Sequence, residues 1–255
     1  SEILALCKEK QSPWTVIGNG SKLLVGDGGI RGVVLEIGKQ MSEISIEGTK
    51  ITAGAGAMLS AIASKAAAQE LTGLEFASGI PGSLGGAVVM NAGAYGGEMK
   101  DVLTEVTVLT PEGTFLTRPV AELDLSYRHS IIPERGYLVV SAVLELHPGK
   151  AEEIRAVMED LKEKRVSKQP LEYPSAGSTF KRPEGYFAGK LIQDAGLRGF
   201  QVGGAQVSEK HCGFVINRDH ATSADICNLM NQVSEIVFER IGVRLEAEVK
   251  KIGEF

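Results

Sequence analysis

The chain is poor in several things that would each announce a function. It has 3 cysteines in 255 residues, an odd number with no Cys-x-x-Cys pair. Cys7, Cys212 and Cys227 are far apart, which fits a reducing compartment and gives no disulfide framework. His211, Cys212, His220 and Cys227 match no familiar zinc spacing, so no metal is expected. Aromatic residues make up 5% of the chain, with a single tryptophan. No apolar run approaches the roughly 20 residues that span a bilayer, so no membrane association is expected. Lys and Arg form no cluster, and the net charge is −5. A nucleic-acid surface is therefore not expected. The N-terminal stretch 1–10 is amphipathic and not signal-like. The cysteine usage predicts a cytoplasmic protein. Phosphate motifs of the usual kinds are missing too. There is no G-x-x-x-x-G-K-[ST], and no complete G-x-G-x-x-G stands between a strand and a helix. The serine-nucleophile elbow G-x-S-x-G is also missing.

Glycine is what the chain has in excess: 31 residues, about 12% against a usual ~7%. The richest stretch is Pro81–Gly96, with five glycines, three alanines and no ionisable group but Tyr95. A shorter echo, Gly18-Asn-Gly-Ser21, follows the apolar run Trp14–Ile17. Side chains this small let ligand oxygens approach main-chain N–H groups, a way to hold phosphate without lysine. Two such loops suggest a large pyrophosphate cofactor. Tight turns packing small residues against a sheet explain the same composition, and from the residues alone both accounts stay open.

Periodicity predicts a helix over 1–10 with Ile3, Leu4 and Leu6 on one side, a buried strand Trp14–Ile17 and a second strand Val33–Ile37. A hairpin is expected at 43–53, a helix over 58–71 stopped by Gly73, and a second hairpin at 105–117. A long strand spans 138–146 and ends at Pro148-Gly149, read as the domain boundary. Beyond it come an amphipathic helix 151–165 with Ile154, Val157, Met158 and Leu161 on one stripe, and a helix 187–195. A helix opened by the Thr222-x-x-Asp225 capping box follows, then a closing strand 243–252. Hairpins mixed with helices, without regular βαβ alternation, indicate an α+β fold.

Six motifs occur in order: Gly18-Asn-Gly-Ser21, Gly79-Ile-Pro-Gly-Ser-Leu-Gly-Gly86, Met90-Asn-Ala-Gly-Ala-Tyr-Gly96, Tyr127-Arg-His-Ser130, Ala176-Gly-Ser-Thr-Phe-Lys181 and Leu245-Glu-Ala-Glu-Val249. Together they resemble the UDP-N-acetylenolpyruvoylglucosamine reductase (MurB) family, in its shorter second form, over essentially the whole chain. The resemblance implies an FAD-binding region of the vanillyl-alcohol-oxidase (PCMH) type over 1–149, with subdomains near 1–40 and 41–149. A smaller α+β substrate-binding domain over 150–255 would follow. It also implies a segment of several tens of residues ahead of the Asn-Gly-Ser loop, of which the sequence given shows little.

The same resemblance implies FAD on Gly18, Asn19, Gly20, Ser21, Pro81, Gly82, Gly85, Gly86 and Asn91, with NADPH as reductant. The substrate would be a UDP-sugar enolpyruvyl ether. Ser178 would protonate the substrate carbanion, Arg128 would receive charge at the substrate carboxylate and enolate, and Glu248 would act as catalytic acid beside Arg128. Lys181, Arg182 and Gln206 would touch the substrate, with Tyr173 or Tyr186 as further contacts. In the closing strand, alternation puts Glu246 and Glu248 on one face. Ala247 stands where the family has proline. Lys22 stands where it has asparagine, which would add a cation near the pyrophosphate. An oxidase of the same flavin fold, and a nucleotide-binding module without turnover, are the two other readings.

Overall fold

A computed structural model describes all residues, Ser1–Phe255. The chain forms two compact units, residues 1–20 with 32–164, and residues 21–31 with 165–255. This division differs from the expected one in two ways. It falls inside the helix Ala151–Lys168 and not at Pro148-Gly149, and it assigns a short early segment to the second unit. Residues 1–20 and 32–40 belong to the same unit as 41–149.

The first unit is built on a five-stranded antiparallel sheet. Its strand order is Phe115–Pro119, Leu103–Leu109, Leu138–Glu145, Lys50–Gly54, Ile44–Glu47. Alternation sends Ile51 and Ala53, and Val106 and Val108, into the core, where each is almost wholly buried. The helices Leu59–Ala68 and Leu84–Val89 cover the sheet with Leu59, Ile62, Leu84 and Val88. Beside this lies a parallel pair, Trp14–Ile17 with Val33–Glu36.

Several local expectations shift here. Trp14–Ile17 is half-buried, not buried, and Trp14 is 38% exposed. In the first helix, Glu2–Glu9, the buried side chains are Leu4 and Cys7, whereas Ile3 and Leu6 face out. The helix expected over 58–71 stops at Ala68, because Glu70 turns to a φ of 56° and Leu71 enters a strand pairing with Pro148. In Ala151–Lys168 only Ile154 is buried. Met158 and Leu161 are half-buried, with Met158 packed against the core, whereas Val157 is 47% exposed, so the expected stripe holds at three of its four positions.

The second unit packs the helices Ala188–Asp194 and Ser223–Ile241 against a three-stranded antiparallel sheet. Its strand order is Gln201–Val202, Ala205–Val207, Val215–Asn217. The capping box that opens the long helix is complete: Thr222 Oγ1 accepts from the Asp225 N–H, and Asp225 accepts from the Thr222 N–H. Segment 21–31 is fastened into this unit by strand Leu23–Val25, which pairs in parallel with Lys250–Ile252. Asp27 accepts from the Ser223 N–H and hydroxyl, and Arg31 holds the Glu254 carboxylate with two donors. The closing strand is far shorter than expected: regular pairing covers Lys250–Ile252, and Ala247 makes only an isolated bridge to Phe180.

Candidate functional site

In the first unit the two glycine-rich loops meet. Asn19 donates its side-chain amide to the Pro81 carbonyl at 2.8 Å. A methyl group on Gly18 would strike Ser83 Oγ, and one on Gly85 would lie 3.0 Å from Ala55 Cβ. These two glycines exist for close approach of chain to chain. Gly86 is different. It is the one exposed residue among Ser83–Val88, and a Cβ there would meet nothing nearer than Ser83 Oγ at 3.9 Å. Gly20 is likewise open, with a φ of 68°. Pro81 is exposed and Gly82 half-buried on the same rim. This small-residue surface presents backbone, not side chains, to whatever approaches it. Ser21 lies in the second unit, apart in the division from Gly18–Gly20.

Asn91 does not face that surface, contrary to expectation. Its side chain is fully buried (0% exposed) and engaged at both ends. The amide donates to Glu98 Oε2 at 2.7 Å and to the Ser126 carbonyl at 3.1 Å, and Oδ1 accepts from the Lys100 N–H. Glu98 in turn pairs with the Lys100 ammonium, a hydrogen bond that raises the lysine pKa. Asparagine suits the position doubly, because φ there is 42° and short amide side chains tolerate left-handed backbone. The bond to Ser126 braces the turn that carries Arg128. Ser126 and His129 exchange backbone hydrogen bonds, and Ser130 Oγ, buried, donates to the Val89 carbonyl. Arg128 itself has a φ of 56°, lies over the Tyr127 ring and donates to the Gly93 carbonyl. A non-glycine residue held left-handed is over-determined by its surroundings, and such positions gather at functional sites.

The second unit holds Ser178 and Glu248 on one frame, and the residue between them in that frame is Thr179. It is 2% exposed and ties three ways. Its N–H donates to the Gly213 carbonyl, its Oγ1 accepts from the Val215 N–H at 2.8 Å, and its carbonyl accepts from the Glu248 N–H at 2.8 Å. Ser178 bridges to Phe214 and is exposed. Glu248 is 5% exposed, and its carboxylate meets the Lys22 ammonium at 2.8 Å. The same ammonium donates to the Ser178 carbonyl at 2.7 Å. Glu246, by contrast, is 71% exposed at its side chain and pairs with Lys181. The expected common face for Glu246 and Glu248 is therefore wrong: the backbone leaves strand geometry there, and alternation no longer applies.

The three expected substrate contacts are placed as follows. Lys181 is engaged by Glu246, Arg182 lies 4.6 Å over the Phe187 ring, and Gln206 donates to the Gly199 carbonyl. His211 supports the loop from behind, where its Nδ1 accepts from the Gly213 N–H at 3.0 Å. Burial, helped by the Lys168 and Arg198 charges, lowers its pKa from the ordinary 6.5. Thr179 has no role in the sequence reading and His211 enters it only as a rejected zinc ligand; Lys22, expected as a cation near the pyrophosphate, has its ammonium on Glu248 and the Ser178 carbonyl. Threonine in Gly-Ser-Thr-Phe reads as an ordinary strand residue, and nothing local shows that Lys22 reaches a residue 226 positions on.

Comparison with known proteins adds the following. Residues 1–118 match the family model described as an FAD binding domain, and residues 169–252 match the C-terminal domain of UDP-N-acetylenolpyruvoylglucosamine reductase. A protein of Agathobacter rectalis with that enzyme name is 61% identical, over 100% of this chain and 85% of its own length. One of Clostridioides difficile is 52% identical over 99% of this chain and 83% of its own. The crystal structure of the Thermus caldophilus reductase aligns with a TM-score of 0.84 at 36% identity, covering 97% of this chain and 88% of that one. Gly20 and Gly86, where a methyl group would meet open space, lie within residues 1–118 matched by the FAD binding domain model.

Two outcomes follow from this geometry. Thr179→Val keeps the shape but leaves the buried Val215 N–H without its acceptor, and is expected to lower unfolding free energy by about 1–3 kcal/mol in urea titrations. His211 has a depressed folded pKa, so the unfolded chain binds its proton first. Stability due to neutral His211 is complete above the unfolded value near pH 6.5 and falls as pH drops below it. Thermal midpoints of the wild type should decline more steeply below that pH than those of His211→Gln.

Proposed function

The chain belongs to the UDP-N-acetylenolpyruvoylglucosamine reductase family, and from that premise we propose how its own residues divide the work. The family's enzymes are FAD-dependent oxidoreductases of α+β fold, with an FAD-binding region of the vanillyl-alcohol-oxidase type. The reaction is NADPH-dependent reduction of UDP-N-acetylglucosamine enolpyruvate to UDP-N-acetylmuramate, a step of peptidoglycan precursor synthesis. When bound, FAD reduced by NADPH would supply the hydride for the terminal vinyl carbon.

In the first unit, Gly18, Asn19, Gly20, Pro81, Gly82, Gly85 and Gly86 build the FAD cradle. Gly20, Gly82 and Gly86 present backbone to the pyrophosphate, and Gly18, Gly85 and Asn19 pack the two loops together. Ser21 is assigned to the cofactor on the motif alone, and Asn91 acts by position, holding the turn of Arg128. Arg128 offers a permanently charged, planar fork to the substrate carboxylate, where negative charge grows as the vinyl carbon is reduced. Ser178 gives its hydroxyl proton to the neighbouring carbon. An alcohol is a weak acid, but an enolate is basic enough to take the proton if the hydroxyl is held in place. Glu248 orients the enol oxygens and shares in returning that proton. Lys181, released from or shared with Glu246, together with Arg182 and Gln206, attends the diphosphate end.

The observation that carries this reading is the Thr179 frame. One buried residue hydrogen-bonds the Ser178 strand to Gly213 and Val215 and also holds the Glu248 backbone, so the two groups given proton work share one rigid support. The compartment that fits is the cytoplasm, because all three cysteines are free thiols and two are buried. No helix is long and apolar enough to cross a membrane. We take the working form to be a monomer without nucleic-acid partners.

Ser178→Ala is the direct test. Bleaching of the flavin by NADPH should proceed at the normal rate, whereas turnover of the enolpyruvyl substrate should fall by about 10²–10⁴-fold. Turnover near the wild-type rate would remove Ser178 from the mechanism. A second test separates cradle from packing. Gly86→Ala has room for its methyl and relieves a helix glycine, so the FAD-free protein should gain up to about 1 kcal/mol in stability. FAD titration should nevertheless show weaker binding. Unchanged FAD affinity would move the pyrophosphate away from Gly86.

A further inference from the structure

Lys22 and Glu248 stand 226 residues apart in the chain, and the fold brings them together. The segment that carries Lys22, residues 21–31, leaves the unit that surrounds it in sequence and joins the other. There it is tied down along its whole length. The Lys22 carbonyl accepts from the Lys250 N–H, Leu23–Val25 pairs with Lys250–Ile252, and Asp27 and Arg31 bind Ser223 and Glu254. The ammonium is thereby delivered to two partners at once, Glu248 Oε1 at 2.8 Å and the Ser178 carbonyl at 2.7 Å.

The surroundings keep it there. The Lys22 side chain is 21% exposed and that of Glu248 only 5%, so the pair sits where water screens it weakly. Gly177 passes so close that a methyl group on it would lie 3.3 Å from the Lys22 nitrogen. Its φ of 74° is one that only glycine adopts without strain. The backbone just before Ser178 is thus shaped around the ammonium.

We propose that Lys22 is a positioning residue for the reaction, a clamp that joins the Glu248 carboxylate to the loop bearing Ser178 and so fixes the two groups relative to each other. The inference rests on the roles proposed above for Ser178 and Glu248. Thr179 joins the same two segments through backbone atoms. Lys22 does so at the carboxylate itself, where a shift of the acting oxygens is felt directly. An ammonium is a point donor able to serve a carboxylate and a carbonyl together.

The test uses the full chain with FAD bound and measures three things. They are the rate of flavin bleaching by NADPH, kcat and KM for the enolpyruvyl substrate, and the thermal midpoint. Lys22→Met should lower kcat about 10- to 100-fold, as expected when reacting groups are displaced by an ångström or less. KM should change only a few-fold and NADPH bleaching should stay normal. Lys22→Gln, which keeps a donor, gives the same split and serves if the methionine variant does not fold. Lys22→Arg, which restores the charge, should recover most of kcat. In a Glu248→Gln background, adding Lys22→Met should cost little more, because the clamp has already lost its carboxylate. The proposal is overturned if kcat survives in Lys22→Met, or if the loss is as large in the Glu248→Gln background as in the wild type. A Glu248→Gln enzyme with normal kcat is a different result: it removes Glu248 from the mechanism, and leaves Lys22→Met in the wild-type background to judge the clamp on the Ser178 loop alone.

Discussion

Much of the second unit follows from one constraint, a carboxylate that is 95% removed from water. A buried charge is tolerated only with a partner, and removing one member of such a pair typically costs about 3–5 kcal/mol. Glu248 meets that demand with Lys22, a residue at the other end of the chain. Residues 21–31 belong to the same unit as Glu248, held there by the parallel pairing with Lys250–Ile252, the Asp27–Ser223 bonds and the Arg31–Glu254 fork. Lys22 thus reaches Glu248 on a segment, residues 21–31, that interrupts the first unit in sequence.

The first unit solves another problem, how to offer backbone to an anion without collapsing the loops that carry it. Its glycines divide into two kinds. At Gly18 and Gly85 a methyl group would strike a neighbour, so these hold the loops against Ser83 and Ala55. At Gly20 and Gly86 there is open space, so these face outward. Of the two accounts that composition left open, packing holds at Gly18 and Gly85, and the open space at Gly20 and Gly86 is what the proposed cradle draws on. Asn91 shows the same division of labour. Chosen by its motif as a ligand contact, it is buried as a brace whose amide and oxygen are wholly taken up by Glu98, Ser126 and Lys100.

A good part of this was legible beforehand. Hairpins and helices with strong periodicity lay within a few residues of their expected places, because local burial patterns and caps such as Thr222 and Asp225 are encoded by neighbours in the chain. The misses share a cause. The full length of the 243–252 strand and the common face for Glu246 and Glu248 were both inferred from periodicity, whereas regular pairing is confined to Lys250–Ile252 and only irregular backbone bonds hold residues 246–248. Thr179 was invisible because its importance lies in three hydrogen bonds to distant backbone, and threonine's identity hints at none of them.

What the sequence determined by itself was the family, through six motifs in order, together with the α+β class and the residue types on which chemistry depends. Such signals survive in one dimension because each needs only a few neighbouring residues of the right size and charge. Tertiary structure alone decided which glycines touch and which stand open, that Asn91 turns inward, and that Lys22 serves Glu248 and Ser178. Each of those facts depends on atoms brought within about 3 Å across long stretches of chain. Their separation in sequence carries no trace of that distance, since a chain long enough to return can close on any partner at an entropic cost that grows only slowly with length.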